Sequence, residues 1–141
     1  GTASPRMNVL VDTSVWSLAF RRSKENEHPA ASLLKGLITD GRAALFGPIR
    51  QEILSGVKTQ KQFDSLRSNL RAFPDIVLAT DDYEEAARFY NLCRAKGIQG
   101  SNTDFLICAT ASRRQMPILT TDKDFYQFAK ILPIDIHTEF D

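Results

Sequence analysis

Four acidic residues, Asp12, Glu52, Asp104 and Asp122, stand where a folded chain can bring them together. Asp12 directly follows the apolar run Asn8-Val9-Leu10-Val11, and Asp122 directly follows Ile118-Leu119-Thr120-Thr121. Glu52 falls about one turn into the helix that follows Ala43-Ala44-Leu45-Phe46, and Asp104 opens an apolar helix with Ser101 or Asn102 as its expected cap. Carboxylates gathered in one place repel, so they must take up protons, splay apart or share a cation. Oxygen ligands select magnesium or manganese over zinc, and neither His28 nor His137 stands in a metal-ligand pattern. Magnesium held by a few carboxylates keeps several waters and also binds phosphate oxygens, a combination that points to phosphodiester hydrolysis. One ion, or two about 3.5 to 4 Å apart, would both suit such a set.

Each residue also has a plainer role. An Asp beside a strand end or a helix start is commonly an N-cap, and a Glu within a helix is commonly solvated surface. Taken singly, capping is the favourite for Asp12, Asp104 and Asp122; the coincidence of all four carries the argument. At the fourth position Asp124 competes with Asp122, which is favoured because it leaves the strand directly.

The elements that must position these residues alternate between strand and helix. Short apolar runs near 8–11, 43–46, 76–78, 118–121 and 134–136 read as five buried strands. Between them, helices are expected after Asp12, from Pro29 to Gly41, around Gln51–Leu54, over Thr59–Phe73, from Asp81 to Gly97, over Phe105–Ser112 and from Asp122 to Ala129. Strands lacking two-residue alternation, interleaved with helices, predict an α/β fold with a mainly parallel sheet covered on both faces. Ligands of such sheets sit beyond the carboxyl ends of the strands, where the strand order reverses.

At 141 residues, 43% hydrophobic and 25% charged, the composition is that of one globular domain. Gly1 to Arg6 reads as an expression-tag remnant before Met7, leaving 7–141 as a single domain. No apolar stretch reaches the roughly 20 residues a bilayer requires, and a cytoplasmic location is expected. Cys93 and Cys108 form no C-x-x-C pair and read as small core residues. A net charge of +1 leaves no global field for nucleic acid, so any RNA contact rests on local clusters, of which Arg21, Arg22 and Lys24 lie nearest Asp12 in sequence. Trp16 and Phe20 could stack on a base, but such a pair is more often helix packing, and a core or dimer contact is the favoured reading.

Four blocks carry a resemblance: Leu10-Val11-Asp12-Thr13-Ser14-Val15-Trp16, Gln51-Glu52-Ile53-Leu54, Asn102-Thr103-Asp104-Phe105-Leu106-Ile107-Cys108-Ala109, and Leu119-Thr120-Thr121-Asp122-Lys123-Asp124-Phe125. Together, in this order over Met7 to Asp141, they resemble the PIN domain and, more narrowly, the VapC-type toxins of bacterial type II toxin–antitoxin pairs. The resemblance implies a three-layer α/β/α sandwich around the five-stranded sheet, RNA cleavage dependent on Mg2+ or Mn2+, a homodimer, and inhibition by a small cognate antitoxin protein. It matches Asp12, Glu52, Asp104 and Asp122 to the family's four acidic positions. Thr13 or Ser14, Asn102 and Thr121 match polar positions that support those carboxylates. It also makes the face of the Thr59–Phe73 helix next to the Glu52 helix a candidate antitoxin groove. Two other readings compete: a PIN-like module that binds RNA or protein without cleaving, and a receiver-type signalling domain. The receiver would use Asp81 as its acceptor and lacks the lysine expected after the last strand.

Overall fold

A computed structural model describes residues 7–21 and 28–138 of the chain. The expected tag remnant at 1–6, and Arg22 and Lys24 of the basic cluster, lie outside the described residues. So does the side chain of Arg21, the last residue of the first helix.

Val9, Leu10 and Val11 form β1, and all three are fully buried. A strand whose successive side chains point to opposite faces can be buried throughout only if both faces of its sheet are covered. β1 lies at the centre of a parallel sheet, between β2 (Ala43–Ala44) and β3 (Ile118–Leu119). Leu10 pairs with Ala44 on one side and Ile118 on the other, and Val11 pairs with Leu119. The order β2-β1-β3 means that the chain first builds to one side of β1 and later returns to the other. The reversal therefore falls between β1 and β3, the place where a ligand crevice is expected.

Seven helices fill the described connections: α1 (Thr13–Arg21), α2 (Pro29–Thr39), α3 (Gly47–Leu54), α4 (Gln60–Leu70), α5 (Thr80–Ala95), α6 (Asn102–Arg114) and α7 (Asp124–Ala129). The five expected strands reduce to three. Where the outer two were expected there are single parallel bridges, Leu45 to Asp75 and Ile118 to Ile136. Each outer run is too interrupted to extend: Pro74 has no N–H to donate, Val77 is 87% exposed, and Pro133 and exposed Asp135 flank Ile134.

Trp16 is buried, donates from Nε1 to the carbonyl of Val11 at 3.0 Å, and meets Phe73 edge-on. The reading of Trp16 as core holds, and its indole is not available to a base. Cys93 and Cys108 are buried free thiols of the same core. Arg50, on α3, fastens the end of α4: its guanidinium donates to the carbonyls of Leu70 and Phe73 and to Asp75. Asp82, at the start of α5, is fully buried and grips the end of α6 through Arg114 at 2.7 and 2.9 Å. Gly100, just before α6, passes so close to Phe128 and Phe105 that a Cβ would lie 2.6 Å from the first ring. Only glycine lets the chain enter α6 there without displacing those rings. Among the described residues, no helix is long and apolar enough to cross a membrane.

Candidate active site

Asp12 ends β1 and starts α1: its N–H donates to Leu119 and its carbonyl accepts from Val15. The side chain does not act as a simple helix cap. Its Oδ2 accepts from Ser14 Oγ at 2.9 Å and from Thr120 Oγ1 at 2.8 Å. Thr120 Oγ1 in turn accepts from the N–H of Asp122, and Ser14 Oγ from the N–H of Thr121. The ends of β1 and β3 are thus laced together through one carboxylate oxygen. Burial pushes the Asp12 carboxyl up; the hydroxyls of Thr120 and Ser14 pull against that rise, and the charge of Asp104 adds to it.

Asp104 occupies the first turn of α6 in a complete capping box. Its N–H donates to Ser101 Oγ and its Oδ2 accepts from the Ser101 N–H, both at 3.0 Å. Ser101, not Asn102, is the cap. Burial raises the Asp104 carboxyl first, and the charges of Asp122 and Glu52 raise it further. Capping and clustering therefore coexist in this residue. Glu52, exposed on α3, has its Oε1 held by Thr13 Oγ1 at 2.7 Å. Asp122 accepts from the N–H of Asp124 at 2.9 Å, so it turns the chain into α7 while remaining within electrostatic reach of Asp104.

All four candidate carboxylates thus join one electrostatic set, linked through Asp104. Asp124 is not among the charges that raise Asp12 or Asp104; what it contributes is its N–H to Asp122. Among the supporting residues, Thr13 and Ser14 touch Glu52 and Asp12 as described, while Thr121 gives only a backbone N–H. Asn102 is exposed on the first turn of α6 and lines a neighbouring pocket. The hydroxyl that meets Asp12 across the sheet belongs to Thr120, which sequence reasoning passed over. Register supplies the signal: with Val11 opposite Leu119, the next residue along β3 must lie beside Asp12.

Among the described residues, no three carboxylates, imidazoles or thiols stand grouped so as to hold a metal ion. The donor set is nonetheless oxygen-only, negatively charged and self-repelling, with an oxygen of each carboxylate fixed by a chain donor. That chemistry fits a hard cation that keeps part of its coordination for water and phosphate. Cys108, one turn beyond Asp104, does not compete as a soft ligand: burial holds its thiol well above the usual range, so it stays protonated.

The chain matches the family model of the PIN domain over residues 9–131. No curated protein matches its sequence. Among solved structures, it is similar to VapBC2 from Rickettsia felis bound to a DNA fragment from their promoter, with 17% identity and a TM-score of 0.74 over 93% of this chain and 98% of that one. FitAcB from Neisseria gonorrhoeae is 17% identical, with a TM-score of 0.73 over 94% of this chain and 98% of that one. VapBC-5 from Mycobacterium tuberculosis, a member of the VapBC family of toxin–antitoxin systems, is 19% identical, with a TM-score of 0.66 over 93% and 98%. With a three-stranded parallel core, acidic strand ends and a family match over most of its length, this chain belongs to the PIN domain family.

Proposed function

We propose that this protein is a divalent-metal-dependent endoribonuclease and the toxin of a toxin–antitoxin pair. The observation that carries the reading is the set of four carboxylates joined through Asp104, whose charge raises Asp12 and which is itself raised by Asp122 and Glu52, with Asp12 buried among hydroxyls and, among the described residues, no arginine or lysine hydrogen-bonded to it. Asp12, Glu52, Asp104 and Asp122 would hold Mg2+ or Mn2+. When bound, such an ion lowers the pKa of water and offsets the charge that develops on a phosphate in hydrolysis.

The chain's own contribution is orientation. Thr120 and Ser14 fix one oxygen of Asp12, Thr13 fixes Glu52, the Ser101 N–H fixes Asp104 and the Asp124 N–H fixes Asp122. Preset ligands lose little freedom on binding and place the reacting phosphate reproducibly. The likeness to VapBC structures supports a small antitoxin protein as partner, and a homodimeric state is proposed with it. Arg21, Arg22 and Lys24, close to Asp12 in sequence, are proposed to meet RNA phosphates. In the competing receiver reading Asp81 would be the acceptor, but it faces Arg113 at 3.7 Å in the first turn of α5.

The test is incubation of the purified protein with total RNA and Mg2+ or Mn2+, with chelator, and as Asp12→Asn. Cleavage is expected only with metal and only with Asp12 intact. Metal-independent cleavage, or a fully active variant, would sink the mechanism.

A further inference from the structure

A pocket of about 430 Å3 lies between α5 and α6, beside Pro48. It adjoins a second cleft of about 490 Å3 that contains Thr13 and Glu52, and the two share Pro48 and Thr103. The first pocket therefore borders the cleft that holds Glu52. Tyr83 and Tyr90 stand two turns apart on one face of α5, with the small side chains of Ala86 and Ala87 between them. Tyr83 is 54% exposed. Tyr90 is held in place by the edge of Phe105 at 5.5 Å and by Arg94, which donates to its hydroxyl at 3.2 Å. Asn91 and Asn102 bring amides, and none of the described residues lining the pocket is charged.

We infer that this tyrosine-walled pocket receives one unpaired nucleobase next to the scissile phosphate, an inference that rests on the nuclease reading. A phosphate would find no cation in the pocket and repulsion from Glu52 next door. A base is neutral, stacks on aromatic faces in any sequence context, and presents the mixed donors and acceptors that asparagine amides can meet. The shared walls, Pro48 and Thr103, would set that base beside the cleft of Glu52.

The experiment uses an RNA oligonucleotide that the protein cleaves, with the base on either side of the cut replaced in turn by an abasic ribose. Affinity is measured in the inactive Asp12→Asn background, and cleavage with Asp12 intact. Tyr83→Ala is expected to weaken binding about tenfold, the size of one lost base–aromatic stack. One abasic position should lose the same factor on protein with Tyr83 intact and nothing further on Tyr83→Ala; Tyr126→Ala, at another exposed tyrosine, should change neither. Independent, multiplying losses, or no loss with cleavage intact, would overturn the subsite and leave the nuclease reading standing. A Tyr83→Ala protein of half the sedimenting mass, with undiminished abasic effects, would give the face to a second copy of the chain and also overturn it. If the unaltered protein cleaves no RNA at all, the nuclease reading falls and this subsite falls with it.

Discussion

The chain buries two aspartates in opposite ways, and replacing each by asparagine in the metal-free protein should move stability in opposite directions. Asp82 is fully buried but neutralised: it accepts from the Ala79 N–H at 2.8 Å and from both terminal nitrogens of Arg114, with Arg113 at 3.5 Å. Removing one partner of a buried pair costs about 3–5 kcal/mol. Arg114 and Arg113 are 29% and 33% exposed and can turn to water, which reduces the expected loss for Asp82→Asn to about 2–3 kcal/mol. At about 3 °C per kcal/mol for a chain of this length, Tm should fall by about 6–9 °C. Asp12 is buried among hydroxyls and the like charge of Asp104. In Asp12→Asn the amide oxygen keeps the bonds from Thr120 and Ser14 while the charge disappears, so Tm in chelator should hold or rise. Excess Mg2+ should then stabilise the unaltered protein by about 2.7 kcal/mol at a hundred times the Kd, raising its Tm, and leave Asp12→Asn unmoved. Thermal unfolding followed by circular dichroism, with and without chelator, reads all of these. The reasoning is refuted if Asp12→Asn loses as much in chelator as Asp82→Asn does.

Acidification should separate the same two residues. The Arg114 guanidinium holds the Asp82 carboxyl below its ordinary 3.8, so its stabilisation is complete above that value and is lost as pH falls through the lower folded value. Asp12 is raised, so its charge costs stability above the raised value and protonation relieves that cost as pH falls; acid titrations of the two variants in chelator check both signs. Thr120→Val removes the hydroxyl bridging Asp12 and the Asp122 N–H, and should weaken the Mg2+ dependence of cleavage about 10–100-fold. An unchanged metal titration would remove Thr120 from the positioning role. Asp122→Asn should abolish cleavage while Asp124→Asn, which keeps its backbone N–H, retains most of it; the reverse order of activities would move the ligand to Asp124. Arg50→Lys should cost about 1–2 kcal/mol in urea unfolding, because an ammonium cannot span the carbonyls of Leu70 and Phe73 and the Asp75 carboxylate together.

What sequence could reveal depended on how local the cause was. β1 was legible because three consecutive apolar residues followed by Asp-Thr-Ser specify a buried strand that must end, and Asp12 inherits its place from that ending. The capping box at Ser101 and Asp104 is likewise set by residues three apart. The outer strands were misjudged because apolar content at 76–78 and 134–136 says nothing of whether a neighbour offers a long enough edge, and two of the central strands pair over only two residues each. Nothing local marks Asp82 within the helix expected from Asp81, since its partner Arg114 lies 32 positions away and only the packing of α5 on α6 joins them. Thr120 was hidden for the same reason, its contact with Asp12 spanning 108 positions.

The contrast between the two buried aspartates carries the functional argument further than either motif or fold. Both sit in the interior, where an unpaired charge is costly. Arg113 and Arg114 both reach Asp82, Arg113 reaching Asp81 as well, whereas Asp12 receives the hydroxyls of Thr120 and Ser14 and the backbone of Thr13, which orient it without cancelling its charge. A carboxylate held in position beside the like charge of Asp104, with no described cation hydrogen-bonded to it, is suited to being stabilised by a bound cation. On the proposed function, stability in chelator and activity in Mg2+ are therefore two readings of a single property of Asp12.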